Sequence, residues 1–258
     1  MKRVTGEGRW ADNRRLSTVR PPAYDWEVNR SPNLFAVRML PWLLGARTKE
    51  DPVMVSPAAE LLYPMFQDAL EMLALTRGCF LEHDPASLNT ASALGRSVHK
   101  RENELMEGLL LGGPPETEPL RFIPSHLERI GDALEGVIRT LREREDESAA
   151  FTERGMREVR ELFDRAEGLL ECARDLTRTG NGVLARHVEL ESMRFQEVAS
   201  GFALAHEERL IDGVCLPRAS SAYLAILDDL REVTRHCRQI AHRVVASRAA
   251  RDGASPAR

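Results

Sequence analysis

The sequence predicts an all-α protein, two tandem three-helix bundles behind an irregular N-terminal arm. Three observations carry this. Aromatic residues are only 5% of the 258, while Ala, Leu, Arg and Glu dominate, a mix that favours helices over β-branched, aromatic-rich sheets. Apolar residues recur at steps of three and four in six separate stretches, each a single buried stripe on a helix. The order helix, break, helix, break, helix then appears twice.

Residues 1–55 carry Gly6, Gly8, Pro21, Pro22, Pro32 and Pro41 without sustained periodicity, and are expected to form an extended arm. The first repeat spans 56–147. Its opening helix has the stripe Leu62, Met65, Ala69, Met72 and Thr76 and ends at His83-Asp84-Pro85. A second stripe runs through Ala91, Val98, Leu105 and Leu109 until Gly112-Gly113-Pro114-Pro115 stops it. The third runs Ile123, Leu127, Ile130, Leu134, Val137 and Leu141, with Pro124 near its start.

The second repeat spans 148–248. It begins with Met156, Val159, Phe163, Ala166, Leu170 and Ala173 and breaks at Gly180-Asn181-Gly182. Leu184, Val188, Phe195, Val198 and Phe202 follow, then Asp212-Gly213 and Pro217, then Tyr223, Ile226, Leu230, Val233, Cys237, Ile240 and Val244. Each apolar position of the third stripe falls on one of these last residues 103 positions later, from Ile226 to Val244. A shared heptad phase contributes to that match, and the repeated order of helices supplies the rest. Residues 249–258 are expected to be a disordered tail.

A net charge of -4 provides no overall basic field for nucleic acid. Cys79, Cys172, Cys215 and Cys237 are scattered without a C-x-x-C pair, which suits reduced thiols in a cytoplasmic protein. Lys2 and Arg3 precede no long apolar run, so no signal peptide is read. The apolar stretch Leu34 to Leu44 is broken by Arg38 and Pro41 and is too short to cross a bilayer. Phosphate-binding, dinucleotide-binding, H-E-x-x-H and G-x-S-x-G motifs are all missing, and none of the seven His residues has Glu three positions before it, as a di-iron carboxylate bundle requires.

Three features bear on function. Glu128, Asp132 and Glu135 lie on successive turns of the third helix, a row that presents carboxylates to a hard or borderline cation or, equally, a solvated charged face. Glu102 lies between Val98 and Leu105, and Glu191 between Val188 and Phe195, each inside an apolar stripe. A buried carboxylate needs a partner, whether Arg, a hydrogen-bond network or a metal. Asp229, Glu232 and His236 share one face of the last helix, as a metal site or as ion-paired surface residues.

The run LERIGDALEGV, Leu127 to Val137, resembles the third-helix signature of the PhoU family of phosphate-uptake proteins, and DLREVTRHCRQIA, Asp229 to Ala241, is similar to its second copy. HEERL at His206 to Leu210, with Gly213 and Tyr223-Leu224, resembles the soluble PhoU-like tail of sodium/phosphate cotransporters. The likeness runs from about Ala58 to Val245. It implies two three-helix bundles side by side with metal held by carboxylates on the outer faces: Glu102, Glu128 and Asp132 in the first repeat. In the second repeat Arg231 and Arg235 stand where the motif has acids, leaving Glu191, Glu232 and His236. The metal implied is iron, manganese, magnesium or zinc.

The resemblance further implies a non-enzymatic, homo-oligomeric, cytoplasmic regulator acting by contact with a phosphate transporter or a sensor histidine kinase, peripheral to the membrane. Two other readings follow from the same residues: an accessory subunit of a sodium/phosphate-type permease, or a metal-dependent helical-bundle hydrolase. The apolar segment 31–45, flanked by Arg30 and Arg47, is expected either to fold onto the bundles or to dock on a membrane protein.

Overall fold

A computed structural model describes residues 57–82, 84–110, 120–145 and 151–254, and the arm, the segment 31–45 and the junction near 147 lie outside them. The described residues are helical, without a strand among them. Helix α1 is Pro57–Glu82, α2 Pro85–Leu110 and α3 Ile123–Glu145. The second triplet is α4 Glu153–Thr179, α5 Gly182–Ile211 and α6 Pro217–Ala254. No described helix is long and apolar enough to cross a membrane.

The breaks read from the sequence have local causes. Thr152 Oγ1 accepts from Gly155 N at 3.1 Å and caps α4. The helix ends at Gly180, whose φ of 60° is a left-handed conformation that a side chain would strain, and Gly180 N returns to Leu176 O at 2.7 Å. Asn181 then caps α5 by accepting from Val183 N at 2.8 Å. The α5–α6 turn closes over Gly213, φ 71°, with Val214 N donating to Arg209 O at 2.9 Å.

Within each triplet every helix touches the other two. The halves join along α3 against α6, the most extensive contact in the molecule, and along α1 against α4. All six apolar positions from Ile123 to Leu141 and all seven from Tyr223 to Val244 are buried. The 103-residue offset therefore maps one core helix onto the other. One boundary moves: α6 continues to Ala254, past the expected end at 248. Its later turns are held because Ser247 is buried and Arg248 donates to Gly180 O at 3.0 Å.

Leu134 is fully buried at the middle of α3, so Leu134→Ala should cost about 2–5 kcal/mol from lost transfer energy and the cavity left behind. Urea unfolding followed by circular dichroism reads this, and an unchanged midpoint would contradict the placement of α3.

Candidate functional site

The family-like run on α3 and its counterpart on α6 face one another across the central seam. Arg129, Asp132 and Ala133 from α3, with Asp229, Glu232, Arg235 and His236 from α6, line a groove of about 350 Å³. The close approach rests on Gly136, because a Cβ there would lie 2.5 Å from Asp229 Oδ2. The carboxylates and the imidazole that the sequence assigned to separate repeats thus border one space.

The groove's charges are matched from within. Arg129 reaches Asp132 at 3.4 Å, and Arg235 Nε donates to Glu232 Oε2 at 2.9 Å. That hydrogen bond, with the Arg235 charge, holds the Glu232 carboxyl below its ordinary pKa. Burial pushes Asp229 up to about 6; Arg139 opposes the shift, while Asp228 and Glu232 add to it.

At the seam's edge His126 and His236 meet Nδ1 to Nδ1 at 3.2 Å. Arg235 donates to His236 Nε2 at 2.8 Å, so His236 carries its proton on Nδ1 and donates it to His126 Nδ1. His126 then has its proton on Nε2, which is buried without a partner among the described residues. Burial lowers both imidazoles to about 4; Arg243 and Arg235 reinforce this at His126, and Arg235 does so at His236. Both are neutral at pH 7.

The remaining expected ligands are engaged elsewhere. Glu102 is half-buried and accepts from Ser125 Oγ at 2.9 Å, so a hydroxyl meets the carboxylate inside that stripe. Glu128 lies 3.6 Å from His99 and 3.7 Å from Arg129. Its carboxyl is raised chiefly by burial and next by Asp132, with a smaller push from Glu102. Glu135 is exposed. Glu191 pairs with Arg194 on its own helix and faces Cys172, away from Glu232 and His236 in the groove. Among the described residues no three His, Cys, Asp or Glu side chains gather closely enough to hold a metal. As placed, these residues do not fit the implied ion.

A second polar cluster ties the far end of the second triplet together. The buried Glu158 carboxylate on α4 takes both Arg209 Nη groups, at 3.0 and 2.7 Å, Tyr223 Oη at 2.6 Å, and Arg154 Nε at 2.9 Å. Burial, then Glu158, raises the Tyr223 hydroxyl, which stays protonated to donate. His206 stacks on Tyr223 at 4.3 Å, with Cys215 Sγ 3.8 Å from its Nδ1. The cavity beside them is about 10 Å³, room for about one water and no larger ligand. His206, Arg209, Gly213 and Tyr223 are residues that carried the cotransporter resemblance, here brought together as structural partners. The sequence did not single out Glu158. The signal was its phase, since it occupies the buried α4 stripe beside Val159 and four residues before Leu162.

Two solved structures share this fold. The structure of PhoU from Pseudomonas aeruginosa matches at a TM-score of 0.66 and 18% identity, over 75% of this chain and 96% of that one. The chain has a PhoU-like fold. The phosphate transport system regulatory protein PhoU from Streptococcus pneumoniae matches at 0.66 and 12%, over 75% and 94%. No protein-family model and no curated protein matches the sequence.

Two predictions follow from these clusters. Removing the carboxylate charge in Glu158→Gln leaves Arg209 buried opposite a neutral group and should cost about 3–5 kcal/mol. Tyr223→Phe should cost about 1 kcal/mol, the worth of one hydrogen bond; equilibrium urea unfolding measures both. The second concerns pH. A histidine whose folded pKa is about 4 against 6.5 unfolded stabilises fully above pH 6.5 and loses that contribution as pH falls towards 4. Asp229, at about 6 against 3.8, runs the other way and weakens the fold as pH rises through that interval. Asp229→Asn should therefore raise the unfolding midpoint at about pH 7.5 and leave it unchanged at about pH 3.5, while His236→Gln should flatten the acid limb. A pH series of thermal melts decides both signs.

Proposed function

We propose that this protein is a non-enzymatic regulator of phosphate uptake, working by contact with a phosphate transporter or its sensor kinase. The observation that supports this most is the extent of the structural match: the six-helix body accounts for nearly the whole of two PhoU structures, one of them described as a phosphate transport system regulatory protein. The chemistry of the described cavities agrees with a contact role. The α3–α6 groove is lined by acids, arginines, an alanine and one histidine, without a hydroxyl or thiol nucleophile. The thiol–imidazole contact of Cys215 with His206 sits beside a cavity of about 10 Å³ that admits no substrate. The proposal needs no metal, and the arrangement of Glu102, Glu128 and Asp132 supplies no step that depends on one.

Affinity purification of the full chain from its native host, with gentle solubilisation of membranes, should recover a phosphate permease or a sensor kinase. Deleting its gene should raise phosphate uptake in phosphate-replete medium several-fold. Recovery of neither class of membrane protein, together with unchanged uptake, would remove the regulatory reading.

A further inference from the structure

The four thiols meet different surroundings. Cys172 on α4 is half-buried, and burial, then Asp175 and Glu171, raises its thiol. Cys237 is fully buried in the core, where burial, then Cys172, raises its thiol also. Cys79 is buried on α1. Cys215, in the α5–α6 turn, faces basic groups instead. His206 Nδ1 lies 3.8 Å from its sulfur. The Arg209 guanidinium, clamped on Glu158, lies close enough to interact with the same thiol. Imidazole and guanidinium neighbours favour the thiolate, the form of cysteine that reacts, whereas carboxylate neighbours oppose it.

The groups around this thiol suit a small oxidant. His206 is only 4% exposed, and burial, then the Arg209 charge, lowers its pKa against Glu158 and Glu207, so it is neutral at pH 7 and can take a proton. Its Nε2 is buried without a partner among the described residues. With Nδ1 accepting from the thiol, Nε2 carries the ring proton and lacks an acceptor. The cavity of about 10 Å³ beside them is lined by Cys215, His206 and Thr152, and has room for about one oxygen atom. We propose that Cys215 is a modification site, oxidised by hydrogen peroxide to a sulfenic acid whose new oxygen occupies this cavity. The thiol proton passes to His206 Nδ1, and the sulfur lone pair forms an S–O bond to one peroxide oxygen as the O–O bond breaks. The departing hydroxide takes the proton back from the imidazolium and leaves as water; sulfur is oxidised and peroxide reduced. The product lies in the turn that carries Val214 and Leu216, 62 and 61% exposed, so oxidation alters the base of an exposed apolar surface.

The proposal does not depend on the regulatory reading. Brief exposure of the full chain to hydrogen peroxide, with dimedone to capture sulfenic acid and peptide mass spectrometry to locate it, provides the test. At about 0.5 mM peroxide Cys215 should gain the adduct at least about tenfold faster than Cys172, although Cys172 is the more exposed thiol. In about 8 M urea the preference should vanish, with the four thiols reacting within about threefold of one another. Cys215→Ser should lose the fast adduct. His206→Asn keeps a polar atom near the position of Nδ1 but cannot take the proton; with circular dichroism unchanged, it should slow Cys215 at least about fivefold. An adduct that appears first on Cys172, or equally on the thiols of the folded chain, overturns the proposal. So does an undiminished rate in folded His206→Asn, or a preference that persists in urea and so belongs to the local sequence. If His206→Asn does not fold, the native-against-urea comparison decides alone.

Discussion

The packing of α3 against α6 is the constraint on which the rest of the molecule depends. Each helix is the innermost member of its own triplet, and each presents a full apolar stripe, so the triplets bury their shared surface mainly in this one seam. Burial of that stripe is non-directional and would tolerate sliding by a turn. What fixes the register is polar and steric: Asp229 seated on Gly136 at one level, His126 against His236 at another. The apolar residues supply the driving force, and these few contacts choose one arrangement among several of similar burial.

That division explains what could be read from the sequence. The stripe positions were legible because a 3.6-residue period is written into a single helix and needs no knowledge of its neighbours. Ile123 to Leu141 and Ile226 to Val244 were all identified in this way. The breaks at Gly180 and Gly213 were legible for the same local reason. Contacts between helices 110 residues apart were not: nothing around His126 marks it as the partner of His236. The carboxylates of Asp132, Asp229 and Glu232 read as two sites because they belong to two repeats, whereas the seam folds them around one groove.

How deeply a charge is buried, and by what it is met, was not legible in the sequence alone. Glu102 interrupts an apolar stripe and suggested a demanding environment, yet α2 is less covered at that level and a serine hydroxyl suffices. Glu158, among the exposed Arg154, Arg157 and Arg160, was not singled out, yet it is buried with an arginine and a tyrosine. The difference lies in which neighbours pack over each position, a property of tertiary structure that composition does not encode. The exposed apolar residues of α5, Val183, Leu190, Met193, Leu204 and Ile211, were hidden for a related reason: a helix apolar on two sides loses its periodic contrast.

The clamp on Arg209 acts on the chain as well as on the core. Its side chain is held by Glu158, while its carbonyl oxygen accepts from Val214 N and Cys215 N. The tight turn is therefore fixed by one residue through both its main chain and its side chain. Ile211, Val214 and Leu216 project from that turn, 85, 62 and 61% exposed. Folding itself has already frozen the backbone that carries these three side chains. The entropy that a flexible loop would lose on being covered has here been surrendered in advance, leaving the tip a rigid apolar knob rather than a sampling strand.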